Sequence, residues 1–403
     1  MAKLSLRSVR RKLSSIKQEK LAEKNYQLLK TRSSSNSKIR IGFIVQMPEV
    51  WDKEAPLLEA LINDERFEVT LLVVPEYDLV AGKVKTEYDS LYFFEKYPEF
   101  AKKAFEDGKW VDISTFNFDY VFYQRPYNLY LPDELKSGAV SKVSRCCYIP
   151  YAFWPLGEDL CGYNSDFFRD VYFAFMDSEE NRKELIRKEK IFSSEERLLF
   201  CGYPSLDNLK TNTKGRPTDV LWAPRWSYDK KRGGSHFFEM KDGILELAGK
   251  DSKLIIRPHP LAFQNYVRIG KMSEEDVELY KKEVAGRGAS FDSNKLIEDT
   301  FDEVGVLISD ISSIIFTFFL SEKPIIYCDA HIPISPSFRS LLDGMYIAES
   351  WEDVKETYLK ICAGDDRLMG KRHEIAEKIR KEHTGATERI KRILVEDHER
   401  RKG

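Results

Sequence analysis

No histidine precedes His236 in this chain of 403 residues, so the first half offers no imidazole as a base. No apolar run approaches the roughly 20 residues that a membrane-spanning helix needs. The N-terminus also lacks the apolar core of a signal peptide, because basic residues interrupt Leu4, Leu6 and Val9. The six cysteines, Cys146, Cys147, Cys161, Cys201, Cys328 and Cys362, form no CxxC pair and no His-partnered zinc spacing. Four of them sit within apolar, strand-like runs, where a free Cys behaves as a small hydrophobe, and a reducing cytoplasm fits best. The formal net charge of -2 gives no bulk attraction to nucleic acid. No repeat occurs at a solenoid period. No DxD-like carboxylate pair stands at a strand end, so neither a metal nor another cofactor is expected.

What the chain does have is core-forming material. Hydrophobic residues make up 42% and aromatic residues 13%, and a length of 403 exceeds what one core usually serves. Two domains are expected. Residues 1–37 read as a basic amphipathic arm and linker. Leu4, Val9, Leu13, Ile16 and Leu21 form a loose apolar stripe among Arg7, Arg10, Arg11, Lys12, Lys17 and Lys20, ahead of Ser33-Ser34-Ser35-Asn36-Ser37. Such a helix suits an anionic membrane surface, or serves as a solvated or self-associating arm.

From Ile39 the rhythm is strand and helix in alternation. Strands are predicted at Ile39–Val45, Val69–Val74, Tyr120–Tyr123, Cys146–Ile149 and Val171–Met176, with a helix over Ala55–Ile62. Asp177-Ser178-Glu179-Glu180 resembles a capping box opening the next helix. A second series holds Leu198–Cys201, Val220–Ala223, Leu254–Ile256, Val304–Ile308 and Pro324–Cys328, and Ser350-Trp351-Glu352-Asp353 starts C-terminal helices. The fold class is therefore α/β, with two Rossmann-like lobes at 38–195 and 196–345, and C-terminal helices over 346–403.

Four segments can carry chemistry. Ser309-Asp310-Ile311-Ser312-Ser313 is a hydroxyl-rich strand-to-helix turn, suited either to phosphate or to plain N-capping. Arg257-Pro258-His259-Pro260 brings a bidentate phosphate donor and a titratable imidazole to a strand's carboxyl end. Val220 to Trp226 ends a strand in Pro224, Arg225 and Trp226. Gly202-Tyr203-Pro204-Ser205-Leu206-Asp207 is, by its own chemistry, only a turn.

Taken together and in this order, the four segments resemble the CDP-glycerol glycerophosphotransferase family, the teichoic-acid polymerase type. Gly202, Pro204 and Asp207 match a G-x-P-R-x-D turn with Ser205 in place of Arg, and Val220–Trp226 matches a strand ending A-P-T-W with Arg225 in place of Thr. Arg257 to Pro260 resembles R-x-H-P, and Asp310 to Ser313 with Lys323-Pro324 resembles D-Y-S-S and K-P. The resemblance covers roughly residues 140–330. It implies a GT-B-like fold and a transferase that moves glycerol phosphate, or a related polyol phosphate, from a CDP-linked donor. The acceptor would be a lipid-linked or cell-surface glycan of teichoic-acid or capsular-polysaccharide kind, met at the inner membrane face.

The resemblance further implies donor contacts from Ser309, Asp310, Ser312, Ser313, Arg225, Pro224, Gly202 and Asp207. Arg257 and His259 would act on the phosphoryl group. The family's N-lobe His-Gly-Thr-Pro-Leu-Lys element is missing, since the corresponding strand ends Cys147-Tyr148-Ile149-Pro150-Tyr151. A base must then come from Glu49, Asp52, Glu54 or His259, with Tyr148 and Tyr151 on the acceptor side. A glycosyltransferase using a UDP- or CMP-sugar, a UDP-sugar 2-epimerase and a non-catalytic scaffold of polysaccharide assembly are the alternatives.

Overall fold

A computed structural model describes residues 6–34, 36–89, 91–157, 166–188, 195–207, 215–228, 234–294 and 297–402. The chain divides into two compact units. Unit 1 holds Met1–Ala152, Cys161–Asn208 and His383–Gly403, and unit 2 holds Phe153–Leu160 and Leu209–Glu382.

Unit 1 is built on seven parallel strands: β1 (Ile39–Val45), β2 (Phe67–Val73), β3 (Ala101–Lys103), β4 (Tyr120–Tyr123), β5 (Arg145–Tyr148), β6 (Val171–Phe175) and β7 (Leu198–Leu199). Their order across the sheet is β7-β6-β5-β4-β1-β2-β3. Near-continuous apolar strands with helices between them favour this parallel, two-faced burial. In β1, Phe43 pairs in register with Leu71 and Phe122. The rings of Phe43, Phe122 and Phe175 then stack across the sheet, at 5.1 and 6.2 Å. Each such pair contributes roughly 1 kcal/mol beyond its burial.

The basic arm is a helix, α1 (Leu6–Thr31). Its second half is not a free appendage, because Ala22, Tyr26 and Leu29 are buried in unit 1. Arg145, itself 3% exposed, donates to the carbonyls of Leu29 and Arg32. The Arg197 guanidinium sits 4.8 Å over the Tyr26 ring. Helix α2 (Ala55–Ile62) lies where its sequence pattern places it.

Unit 2 has six parallel strands: β8 (Val220–Ala223), β9 (Leu254–Ile256), β10 (Ser290–Phe291), β11 (Val306–Ser309), β12 (Ile325–Cys328) and β13 (Tyr346–Ala348). Their order is β10-β9-β8-β11-β12-β13, so the winding reverses between β8 and β11. In an open α/β sheet such a reversal marks the usual ligand position, a crevice at the carboxyl ends of the two strands. Trp222 of β8 stacks on Phe237 at 5.7 Å within the core beneath it. Helices α3 (Glu274–Gly286) and α4 (Trp351–Cys362) both start with a reciprocal capping box, Ser273 with Asp276 and Ser350 with Asp353.

The domain boundaries differ from the sequence expectation in three places. Unit 1 runs on to Asn208 rather than stopping at 195, because β7 continues its sheet. Phe153–Leu160 belongs to unit 2, where the Phe153 ring lies face to face on Phe316. The C-terminal helices do not form a separate region. Helix α5 (Met369–His383) belongs to unit 2 up to Glu382, while α6 (Ala386–Glu399) packs on α2 in unit 1. Among the described residues, no helix is long and apolar enough to cross a membrane.

Candidate functional site

The winding reversal of unit 2 collects Pro224, Arg225 and Trp226 after β8, Arg257 and His259 after β9, and Asp310 to Ser313 after β11. Parallel register sets this level: Trp222 pairs with Ile256 and with Ile308, so all three strands end together.

Asp310 is the hub of the crevice. It is 1% exposed and accepts the backbone N–H of Arg225 at 2.8 Å and that of His236 at 3.2 Å. Its Oδ1 also meets the His236 Nδ1 at 2.8 Å. Burial pushes the Asp310 carboxyl up from the usual range, and the His236 ring and the two amides pull it back toward the anion. Burial alone would lower the His236 pKa, but Asp310 outweighs that and raises it, with Glu239 and Asp329 adding the same sign. The carboxylates thus stabilise the charged form of His236 relative to a free imidazole. It was not singled out from the sequence, where it stands 74 residues from its partner with no motif around it.

Arg225 reaches across to the carbonyl of Ile311 at 3.2 Å, and its own carbonyl accepts the Ser235 hydroxyl at 2.8 Å. Trp226 is half-buried against the unit 2 core, 6.1 Å from the His259 ring. Pro224 is buried, and its carbonyl accepts the His259 N–H at 3.4 Å. Much of the His259 side chain meets solvent, yet the protein packed around it, followed by the charge of Arg225, lowers its pKa to about 4. His259 is neutral at pH 7, an acceptor rather than an acid.

Arg257 is committed on one side. Its Nη1 donates to Asp292 Oδ2 at 2.5 Å and to the Asn294 carbonyl at 3.0 Å. Asp292 carried no signal in the sequence.

Other expected donor contacts have structural duties. Ser309 is fully buried, and its hydroxyl donates to the carbonyls of Ala223 and Asp310, tying β11 to β8. The Ser312 hydroxyl accepts the Ile314 N–H at 3.4 Å, and Ser313 caps a helix of only six residues, Ile314–Phe319, without a side-chain bond. Both remain half-exposed on the edge. The buried Lys323 donates to the carbonyls of Phe301 and Val304.

Gly202 and Asp207 are not on this edge. They lie in unit 1, where Asp207 accepts the amides of Gly385, Ala386 and Thr387 and caps α6. Tyr148, expected on the acceptor side, is fully buried, packed edge-on against Phe167 and Phe168. The Tyr151 hydroxyl is 3.1 Å from that of Tyr127. After β1, Glu49 is exposed and Asp52 pairs with Lys53. Glu54 is 1% exposed, neither of its carboxyl oxygens has a hydrogen-bond partner, and burial raises its pKa to about 8.

Among the described residues, one group could hold a metal: Glu322, His373 and Glu377, with ligand atoms within 4.8 Å of one another. Arg380 already donates to Glu322 at 2.7 Å, and the group precedes β12, at the amino edge of the sheet.

The crevice coincides with a family signature. Residues 175–332 match the model of the CDP-Glycerol:Poly(glycerophosphate) glycerophosphotransferase family. The match takes in β8, β9, β11 and β12, and with them Arg225, His236, Arg257, His259 and Asp310. No curated protein matches the chain in sequence.

The fold likeness extends well beyond the matched segment. The wall teichoic acid polymerase TagF is similar over 98% of this chain and 99% of its own, with a TM-score of 0.54 at 13% identity. The UDP-GlcNAc 2-epimerase from Neisseria meningitidis, bound to UDP-GlcNAc, is similar over 89% and 100%, with a TM-score of 0.56 at 11% identity. MnaA of S. aureus, solved with UDP, covers 87% and 94%, with a TM-score of 0.51 at 14% identity. At these identities the likeness shows the fold alone, an α/β fold of GT-B type.

Proposed function

We propose that the chain is a transferase that moves glycerol phosphate, or a related polyol phosphate, from a CDP-activated donor to a glycan or teichoic-acid-like acceptor. The observation that carries this reading is the glycerophosphotransferase match over the segment that builds the unit 2 crevice. The acceptor oxygen attacks the phosphorus that bears the glycerol. The bond to the bridging oxygen breaks, and CMP leaves with its electron pair. Such transfer needs positioning and charge stabilisation more than covalent help. Arg225 and Arg257 supply positive charge there, and Ser312 and Ser313 offer hydroxyls. His259, neutral at pH 7, accepts a hydrogen bond or the acceptor's proton. On the acceptor side, Glu49, Asp52 and Tyr151 are the groups to test. A lipid-linked acceptor at the inner membrane face suits the basic first half of α1.

A second reading, a UDP-sugar glycosyltransferase or 2-epimerase, is favoured by the fold likeness to UDP-GlcNAc 2-epimerase. Calorimetry and thermal unfolding against CDP-glycerol, CDP-ribitol, CDP, CMP, UDP-GlcNAc, UDP and CMP-sialic acid separate the two. A ligand at 100 times its Kd adds roughly 2.7 kcal/mol of stability. Selective stabilisation by the CDP compounds is expected. A UDP preference would transfer the assignment to the second reading, and silence across the panel would favour a scaffold.

A further inference from the structure

The crevice holds two histidines whose surroundings push them in opposite directions. His259 faces Arg225 and no carboxylate acts on its charge. His236 faces carboxylates from three elements: Asp310 after β11, Asp329 after β12, and Glu239 on its own short helix Phe237–Met240. Its Nδ1 is committed to Asp310, and the side chain is 14% exposed, enough for a ligand to reach the ring. Asp310 in turn is fixed by two backbone amides, one of them from Arg225, so the dyad and the arginine share one rigid support. Ser235, next to His236, donates to the Arg225 carbonyl and lies 3.0 Å from the Tyr266 hydroxyl, which locks the turn.

We propose that His236 is a catalytic residue, the imidazolium whose Nε2–H meets the phosphate of the departing nucleotide, and that Asp310 is its positioning residue. This rests on the phosphotransfer reading for the identity of the leaving group. As the acceptor oxygen bonds to phosphorus, the bridging P–O bond breaks and its electron pair stays on the nucleotide oxygen. His236 donates its proton, or a charge-assisted hydrogen bond, to that oxygen, and the acceptor's proton passes to the base on the acceptor side, for which His259 is the neutral imidazole at hand. Paired titratable groups whose surroundings push their pKa values apart are the arrangement that acid–base work at neutral pH uses.

The test uses the full chain and two readouts. CDP and UDP binding are measured by calorimetry from pH 7 to 9.5, where the phosphates are already ionised, for wild type, His236→Asn and Asp310→Asn. The asparagine at 236 keeps an amide toward Asp310 and removes Nε2. Wild-type affinity is expected to fall as pH rises through the His236 titration, which its carboxylate neighbours shift above that of a free imidazole. His236→Asn should bind about 10-fold more weakly at pH 7 without that pH dependence, and lose about 100-fold in kcat while remaining folded. Equal affinity and an unchanged pH profile in a folded His236→Asn would overturn the proposal. Should CDP-glycerol turnover be absent in wild type while the pH-dependent binding resides in His236, the phosphotransfer reading fails and the phosphate role stands.

Discussion

The guanidinium of Arg257 donates to the carboxylate of Asp292 across 2.5 Å. The Asp292 side chain is only 2% exposed, whereas that of Arg257 is 29% exposed, so the arginine is the solvent-side partner of a carboxylate that cannot find water. Thr300 donates to the same oxygen at 2.7 Å. An Arg257→Ala variant, which the family resemblance alone would treat as a clean loss of catalysis, is expected to lose stability too. Stranding a buried charge costs about 3 kcal/mol. Adding Asp292→Ala should restore most of the urea midpoint but none of the turnover. Recovered turnover in the double variant would show that Arg257 serves the fold alone.

Asp207 gives a prediction of the opposite kind. It accepts three amides at the start of α6, and Gly202 beside it has φ +84 with the His383 carbonyl 2.3 Å from where a Cβ would sit. Asp207→Ala should lower stability by about 2 kcal/mol, as losses of strong caps do. Gly202→Ala should cost at least as much, through strain and collision. Nucleotide affinity should stay unchanged in both. Weakened CDP binding by a still-folded Asp207→Ala would return this turn to the donor site.

These two cases mark what the sequence can reveal. Strands such as Ile39–Val45, Tyr120–Tyr123, Val220–Ala223 and Leu254–Ile256 are apolar runs bounded by turns, and the structure has them at those residues. Ala101–Lys103 was illegible because it is a partly exposed edge strand with two lysines and no apolar pattern. The strand-end loops were legible for the same reason as the strands, since a Pro within three residues punctuates each of these runs. What each loop residue touches was not. Asp207 finds its partners 178 to 180 residues away, and Asp310 finds His236 at a separation of 74, distances over which composition carries no information.

Glu54 sets a pH dependence that can be measured without substrate. Its folded pKa is raised from 4.5 to about 8, and burial is the cause. Between those values the native state keeps a proton that the unfolded chain has lost, so stability falls as pH rises from about 5 to 8. The full effect is on the order of 5 kcal/mol. Glu54→Gln keeps the shape and cannot ionise. It should therefore be more stable than wild type at pH 9, nearly equal at pH 5, and flatter between. Parallel denaturation curves for the two proteins across this range would mean that Glu54 is not neutral in the fold.

The arm calls for a different test from simple deletion. Because Ala22, Tyr26 and Leu29 are buried and Arg145 is satisfied by carbonyls of the arm, a 38–403 chain would expose core and strand a guanidinium. Leu21 and Leu28, one i to i+7 step apart on α1, are 50% and 57% exposed. An apolar pair beside a basic stretch is suited to the headgroup region of an anionic bilayer. Replacing Arg7, Arg10, Arg11 and Lys12 together by Ala should leave thermal unfolding unchanged. It should also reduce co-sedimentation with phosphatidylserine vesicles steeply, since each lost cation near the surface removes about 1 kcal/mol of attraction. Equal co-sedimentation of wild type and variant would leave the arm as a structural strut of unit 1.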